Sequence, residues 1–438
     1  MIPIKGLPLI ACSFSLCMAI NPAANALQNL TLAQSISLAV NNNLDIKLAA
    51  AQTEEAKSAV MQSVAALLPH LRGTMSQTRT FRENLDAQGF AGYGYIGPFD
   101  TFDARLTLVQ DILNWNSYAK LQSSEQKKNS ALLKQQLAAE QVSASAALAY
   151  MDVLRSAASL YSVQADEKLA REMLALSQER HSAGTATGLD VAREKTRVAQ
   201  ARSKVLNAQV IFDDAGLRLR HVIGIPLDED VRLADKLDTG TTSFPEESIA
   251  VACALNDRLE LEIGRLEVSA AQYSEMEAKS GHLPTLSATG ELALSGIKPD
   301  SGTGSVGDIG VQLRLPLFEG GAVSAQVREA GAVKAGASAK LADMRVQVEQ
   351  DVRLALKQLN AAVEQVATAQ EALELAQSEL DMAQDRFSAG IGDNVELVNA
   401  QTSLSEARAE RVNALAQYNN ARINLALALG HMRTFSLR

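Results

Sequence analysis

The sequence predicts a mainly α-helical protein: a duplicated protomer with four long helices for an α-barrel and four β-strands too few to close a membrane barrel alone. Three observations lead there. The chain is 47% hydrophobic but only 4% aromatic, a poor filling for a globular core and a good one for close packing of Ala-rich helices. It is also an internal tandem repeat. Finally, it carries segments of about ten residues whose side chains alternate between apolar and polar, the pattern of transmembrane β-strands around a wet lumen.

Residues 1–26 have the form of an export signal. Lys5 begins it, an apolar run from Leu7 to Ile20 follows, and Ala24-Asn25-Ala26 is a small-x-small cleavage site. Cys12 follows Leu9-Ile10-Ala11 in a loose likeness to a lipoprotein box. The apolar stretch before it is short and contains Lys5, which leaves lipidation the lesser alternative. Removal of the signal leaves Cys253 as the sole cysteine, so disulfides and cysteine–metal sites are not expected. No other segment has the 18–20 or so continuous apolar residues of a membrane helix. The formal net charge of −9 argues against a nucleic-acid partner.

The repeat is legible by eye. Residues 40–71 return as 255–286, with Asn41 matching Asn256, Leu44 matching Leu259 and Pro69 matching Pro284. The motif Arg-x-Ser-Ala-Gly ends a helical pattern twice, at 180–184 and 386–390. We place the first repeat at 27–227, a polar linker at 228–245, the second repeat at 246–433 and a tail at 434–438.

Each half should present a short helix, a helix of about 25 residues ended by the proline, two strands, a very long helix, a U-turn and a closing helix. In the first half the helices and strands are expected near 31–42, 44–68, 71–81 with 102–113, 116–182 and 188–223. In the second half the set is 246–256, 258–281, 285–297 with 305–318, 321–389 and 394–429. A helix of nearly 70 residues spans about 100 Å, and the two shorter helices of a half stacked end to end would match it.

Val198, Ala201, Val205, Ala208, Phe212, Ala215, Leu219 and Val222 form a heptad seam. The second half repeats it from Leu404 to Ala428 with Arg411 as the exception. A second stripe (Leu189, Ala192, Thr196, Ala199, Ser203, Leu206) asks for a neighbour on the other side of the same helix.

In the strands, Ile309, Val311 and Leu313 oppose Gly310, Gln312 and Arg314, and Phe102, Ala104, Leu106 and Leu108 oppose Asp103, Arg105 and Thr107. Unpaired sheet edges cannot face lipid, and about eight strands are the practical minimum for a barrel. The chain must therefore oligomerise about an axis: two copies supply eight strands, three supply twelve.

At this point the residues resemble the outer-membrane efflux protein family, the TolC-like channels, over essentially the whole mature chain. The resemblance rests on the duplicated half, on Pro69 and Pro284 before each first strand, on "LPLFEGG" (315–321), and on the paired U-turns. The first half departs from the strand-to-helix motif, with Asp111 in place of Pro316.

The resemblance implies a homotrimer with a twelve-stranded barrel in outer-membrane lipid and a helical tunnel through the periplasm. It implies a passive exit duct that works with a periplasmic adaptor and an inner-membrane transporter, with no enzymatic activity and no cofactor. Glu396 stands where the family places a pore-facing carboxylate, Asn399 where a second is often found, and Asp190 opens the corresponding helix of the first half. Ser182, Ala183, Gly184, Ser388, Ala389, Gly390 and Gly392 would form the adaptor-docking tip. The competing reading is a periplasmic coiled-coil adaptor without a pore.

Two glycine stretches, 92–97 and 302–307, fit G-x-G-x-x-G but lead into strands instead of a helix, so they read as surface loops and not a phosphate site. The five histidines show no metal-binding spacing, and no nucleophile elbow is present.

Overall fold

A computed structural model describes residues 30–84, 92, 94–229, 231–239, 245–300, 302–389, 391–392, 394–432 and 435. The expected signal peptide and Cys12 therefore lie outside the described residues, as do Gly390 and most of the tail.

The first repeat runs α1 (Leu32–Asn42), α2 (Leu44–Ala65), β1 (His70–Thr80), β2 (Glu83–Asn84), β3 (Tyr95–Ile96), β4 (Phe99–Leu113), α3 (Trp115–Ser182) and α4 (Gly188–Ile223). The second runs α5 (Glu247–Asp257), α6 (Leu259–Ser280), β5 (Thr285–Gly296), β6 (Gly304–Arg314), α7 (Ala322–Ser388) and α8 (Asn394–Leu429).

The two long helices, α3 and α7, are flanked by the shorter ones, and α3 packs against shorter helices of both repeats. Near the sheet the lateral order is α2, α3, α6, α7; towards the U-turns it is α4, α3, α8, α7. The end-to-end stacking is explicit where the short helices meet. Asn43, which caps α2, donates its side-chain amide to the Val222 carbonyl at the end of α4 (3.0 Å). Gly224 closes α4 at φ +71°, and a Cβ there would lie 2.7 Å from Asn42 Cβ, so both conformation and space require glycine.

The heptad seam of α8 is buried throughout except at Arg411, which is exposed and donates across its hairpin to the Gln370 side-chain amide oxygen (2.6 Å). The second stripe of α4 is exposed from Leu189 to Leu206, so the neighbour it asks for is not supplied by the described residues.

The junction between the repeats is fastened at mid-height. Leu30 donates its N–H to the Arg232 carbonyl (2.7 Å) and accepts from the Ala234 N–H (3.0 Å). The wholly buried Tyr150 hydroxyl lies 2.9 Å from the Leu30 carbonyl and 2.7 Å from the Asp235 carboxylate. Burial, seconded by that carboxylate, keeps the phenol un-ionised.

The long strands form one antiparallel sheet in the order β1-β4-β5-β6. Its register puts Leu108 opposite Leu71, Leu106 opposite Leu292, and Ala288 opposite Val311. One face is thus aliphatic from edge to edge, and the other collects Thr74, Asp103, Arg105, Glu291 and Asp308. On this polar face the Arg105 guanidinium pairs with Asp103 at 3.0 Å and with Glu291. Phe102 is buried on the aliphatic face, but most of that face's large aliphatic residues are exposed, Ile309 to 93%.

Three details correct the sequence reading. The strand expected to reach 318 stops at Arg314, because Pro316 has no N–H for a ladder. The glycine stretch 302–307 is not wholly loop, since Gly304 to Gly307 already pair with β5. Tyr95–Ile96 likewise belong to a small unforeseen ladder with Glu83–Asn84. Among the described residues no helix is long and apolar enough to cross a membrane.

Candidate functional site

The two U-turns lie side by side at the end of the helices remote from the sheet. In the first, α3 ends on Ser182 with Ala183 as its cap, and Gly184 takes φ +75°. The turn closes through Gly184 N–H to the His181 carbonyl (3.0 Å) and Thr185 N–H to the Arg180 carbonyl (2.9 Å). Thr187 then opens α4 as a capping box with Asp190. The Thr187 hydroxyl and then its backbone N–H hold the Asp190 carboxyl below the usual carboxylate range. That stabilisation is present above the ordinary carboxylate value and is lost as pH falls through the lowered one.

The second turn repeats the plan. Ser388 donates its hydroxyl to the Asp385 carbonyl (2.9 Å), Ala389 caps α7, and the N–H groups of Ile391 and Gly392 both reach the Arg386 carbonyl (3.1 and 2.9 Å). A Cβ on Gly392 would stand 2.9 Å from the Phe387 nitrogen, so this position admits no side chain.

The Glu396 carboxylate pairs with the Arg386 guanidinium at 3.1 Å across the mouth of its own hairpin. Asn399 is exposed one turn higher. Asp190 instead meets the second hairpin, accepting a long hydrogen bond from the Asn394 amide (3.4 Å). The tip therefore brings Asp190 to α8, while Glu396 stays with α7.

Sequence reasoning quoted the two arginines of the repeated motif without giving them work. Arg180 donates to the Phe387 carbonyl and stacks over the Phe387 ring at 4.3 Å, joining the two turns. Further up, Arg197 donates to the Thr402 hydroxyl (2.8 Å), and Asp166 accepts from Ser405 (2.6 Å) and Arg408 (2.7 Å). The signal was present in the repetition itself, since a motif kept in both halves carries its arginine twice.

A helical protomer with two paired hairpin tips at one end and an open, one-faced aliphatic sheet at the other defines a subunit of an outer-membrane channel. The outer membrane efflux protein model matches residues 35–225 and 251–431. The chain belongs to that family. It is 26% identical over 403 residues to the outer membrane protein TolC of Escherichia coli K12, a match spanning 89% of this chain and 80% of TolC. It is 23% identical over 332 residues to the proteases secretion protein PrtF of Dickeya chrysanthemi, covering 74% of this chain and 72% of that one. Its fold matches the outer membrane protein VceC of Vibrio cholerae with a TM-score of 0.81 at 20% identity, over 91% of this chain and 96% of VceC. The protein is an exit duct of the outer membrane extending into the periplasm, of the efflux family, and not an enzyme.

Proposed function

We propose that three copies assemble into one duct, each supplying four of twelve barrel strands, with the hairpin tips as its periplasmic mouth. The observation that carries this is the sheet. Among the described residues β1 and β6 each have an unpaired edge, and one face carries a row of exposed aliphatic side chains. Unpaired N–H and C=O groups in lipid cost several kcal/mol each, so the edges must meet other copies. The exposed second stripe of α4 asks for the same neighbour. The aliphatic face then contacts outer-membrane lipid.

The docking surface for a periplasmic adaptor is Ser182, Ala183, Gly184, Ser388, Ala389, Gly390 and Gly392, small residues that let a partner backbone approach. An inner-membrane transporter supplies the energy. The test is the native mass of the detergent-extracted protein. A detergent-corrected mass of three chains supports the duct as drawn; a water-soluble monomer overturns it.

Glu396 is the pore-aperture group in this reading, with Asn399 and Asp190 beside it. Three carboxylates around a narrow axis attract cations, but each is paired with an Arg386 guanidinium at 3.1 Å. Two opposite shifts are expected in planar-bilayer reversal potentials. Glu396→Gln should lower the cation preference, and Arg386→Gln, which frees the carboxylate, should raise it. Unchanged selectivity in both variants would remove these residues from the aperture.

A further inference from the structure

Glu194 is the anomaly of the tip. It is 1% exposed, and among the described residues neither carboxylate oxygen has a hydrogen-bond partner. It sits on α4 between the two bridges to α8, Asp190 to Asn394 below and Arg197 to Thr402 above. Next to the upper bridge Gln401 is 4% exposed, and on α3, which backs α4 here, Ser177 is buried; among the described residues neither the Gln401 amide atoms nor the Ser177 hydroxyl has a partner.

The internal repeat makes the anomaly sharper. The register that matches Asp190 with Glu396 and Val198 with Leu404 matches Glu194 with Ala400, which is 1% exposed and packs in the core of the second hairpin. One half of the duplication puts a methyl group at this buried position; the other puts a carboxyl group there.

A buried carboxylate without donors is costly when ionised and tolerable when protonated. The charges around it do not relieve it. On its own helix Arg197 favours the ionised form and Asp190 opposes it, and burial outweighs both. On α3, Arg180 is committed to Phe387 and Asp166 to Arg408 and Ser405. On α8, Glu396 is paired with Arg386 of α7, and Glu406 lines the cavity above. That cavity, of about 330 Å³, shares Arg197 and Gln401 with the seam.

We propose that Glu194 makes the seam between the two hairpins pH-sensitive: protonated it packs as Ala400 does, and ionised it loosens the contact of α3 and α4 with α8 and thus the closed tip. The inference goes beyond the duct reading and needs it only for its consequence in conduction.

Burial pushes the Glu194 carboxyl above its ordinary value of 4.5. The packed seam therefore holds more protons than the loosened one between the ordinary and the raised value. Its stability is complete below that window and falls as pH rises through it, by up to about tenfold in the open-to-closed ratio per pH unit.

The test is hydrogen–deuterium exchange of the full-length protein in detergent, between about pH 4.5 and 8, with intrinsic rates corrected. Protection of 188–204 and 394–408 should fall by up to about tenfold per pH unit within the window in the wild type and stay flat in Glu194→Gln. Glu194→Ala, the residue the second repeat uses, should also be flat, which guards against a poorly packed glutamine. Protection of α6 should show no such dependence in any of the three. Variants that follow the wild-type profile would overturn the proposal. Because exchange needs no pore, a failure of the duct reading would show in the native mass and leave this result interpretable.

Discussion

Ile309→Arg is expected to prevent stable insertion of the protein into the outer membrane. Ile309 is 93% exposed on β6, on the face shared with Val311, Leu313 and the cross-strand Leu292. A charged side chain on the lipid side of a barrel costs about 2–4 kcal/mol near the bilayer midplane, and an assembly of three chains carries that cost three times. The measurable result is loss of the protein from the outer-membrane fraction and a lowered denaturant midpoint in vesicles. Asp308→Asn, one residue away on the polar face, is the control and should insert normally. Equal behaviour of the two variants would mean that the faces are assigned the wrong way round.

Phe387→Ala is expected to have the largest effect at the tip. The ring is 7% exposed and sits in a cluster with Leu397, Ala400 and Leu404 of α8 and, at its margin, Met173 and Leu176 of α3. Removing a buried phenylalanine costs about 3–5 kcal/mol. Here it also removes the surface under Arg180, the group that ties the first turn to the second. Single-channel conductance should rise as the hairpins part. Arg180→Ala should shift it in the same direction, since it removes both the cation–π contact, worth about 0.5–2 kcal/mol, and the hydrogen bond to the Phe387 carbonyl. A Phe387→Ala channel with wild-type conductance would show that this cluster does not hold the tip closed.

Most of the helical fold was legible because its determinants are local. Thr187 and Gly224 bracket α4 as capping residue and left-handed stop, and the structure sets that helix at Gly188–Ile223, the span read from sequence. The alternation of β6 and β5 likewise announces which face is aliphatic. Pro316 was visible in the sequence too, yet the strand was carried past it by the apolar residues Leu315 and Leu317, whose pattern continues after the hydrogen-bonding capacity ends.

The contacts of the tip were not legible, for a different reason. Arg180 and Phe387 are 207 residues apart, and Asp166 and Arg408 are 242 apart. Pairings of this kind depend on how two hairpins settle against each other, and no period records them. Glu194 was hidden by the opposite circumstance. A glutamate among Arg193, Lys195 and Arg197 looks like part of a solvated helical face, and only its packing shows that it is inside.

The fastening of Leu30 to residues 232–235 bears on how the chain acquires its shape. Leu32 donates to the Asp235 carboxylate from 203 residues away, and Tyr150 joins them across a further 85. The first described segment thus finds its partners only after the whole first repeat and the start of the linker have been delivered. α3, moreover, lies between helices of both repeats. Neither half can complete its core early, so the polypeptide must travel a long way with aliphatic surface uncovered. Such non-local closure makes for slow maturation and a long window for aggregation. A soluble escort that shields the nascent helices would shorten that window, and the half-chain 27–227 expressed alone should remain incompletely folded.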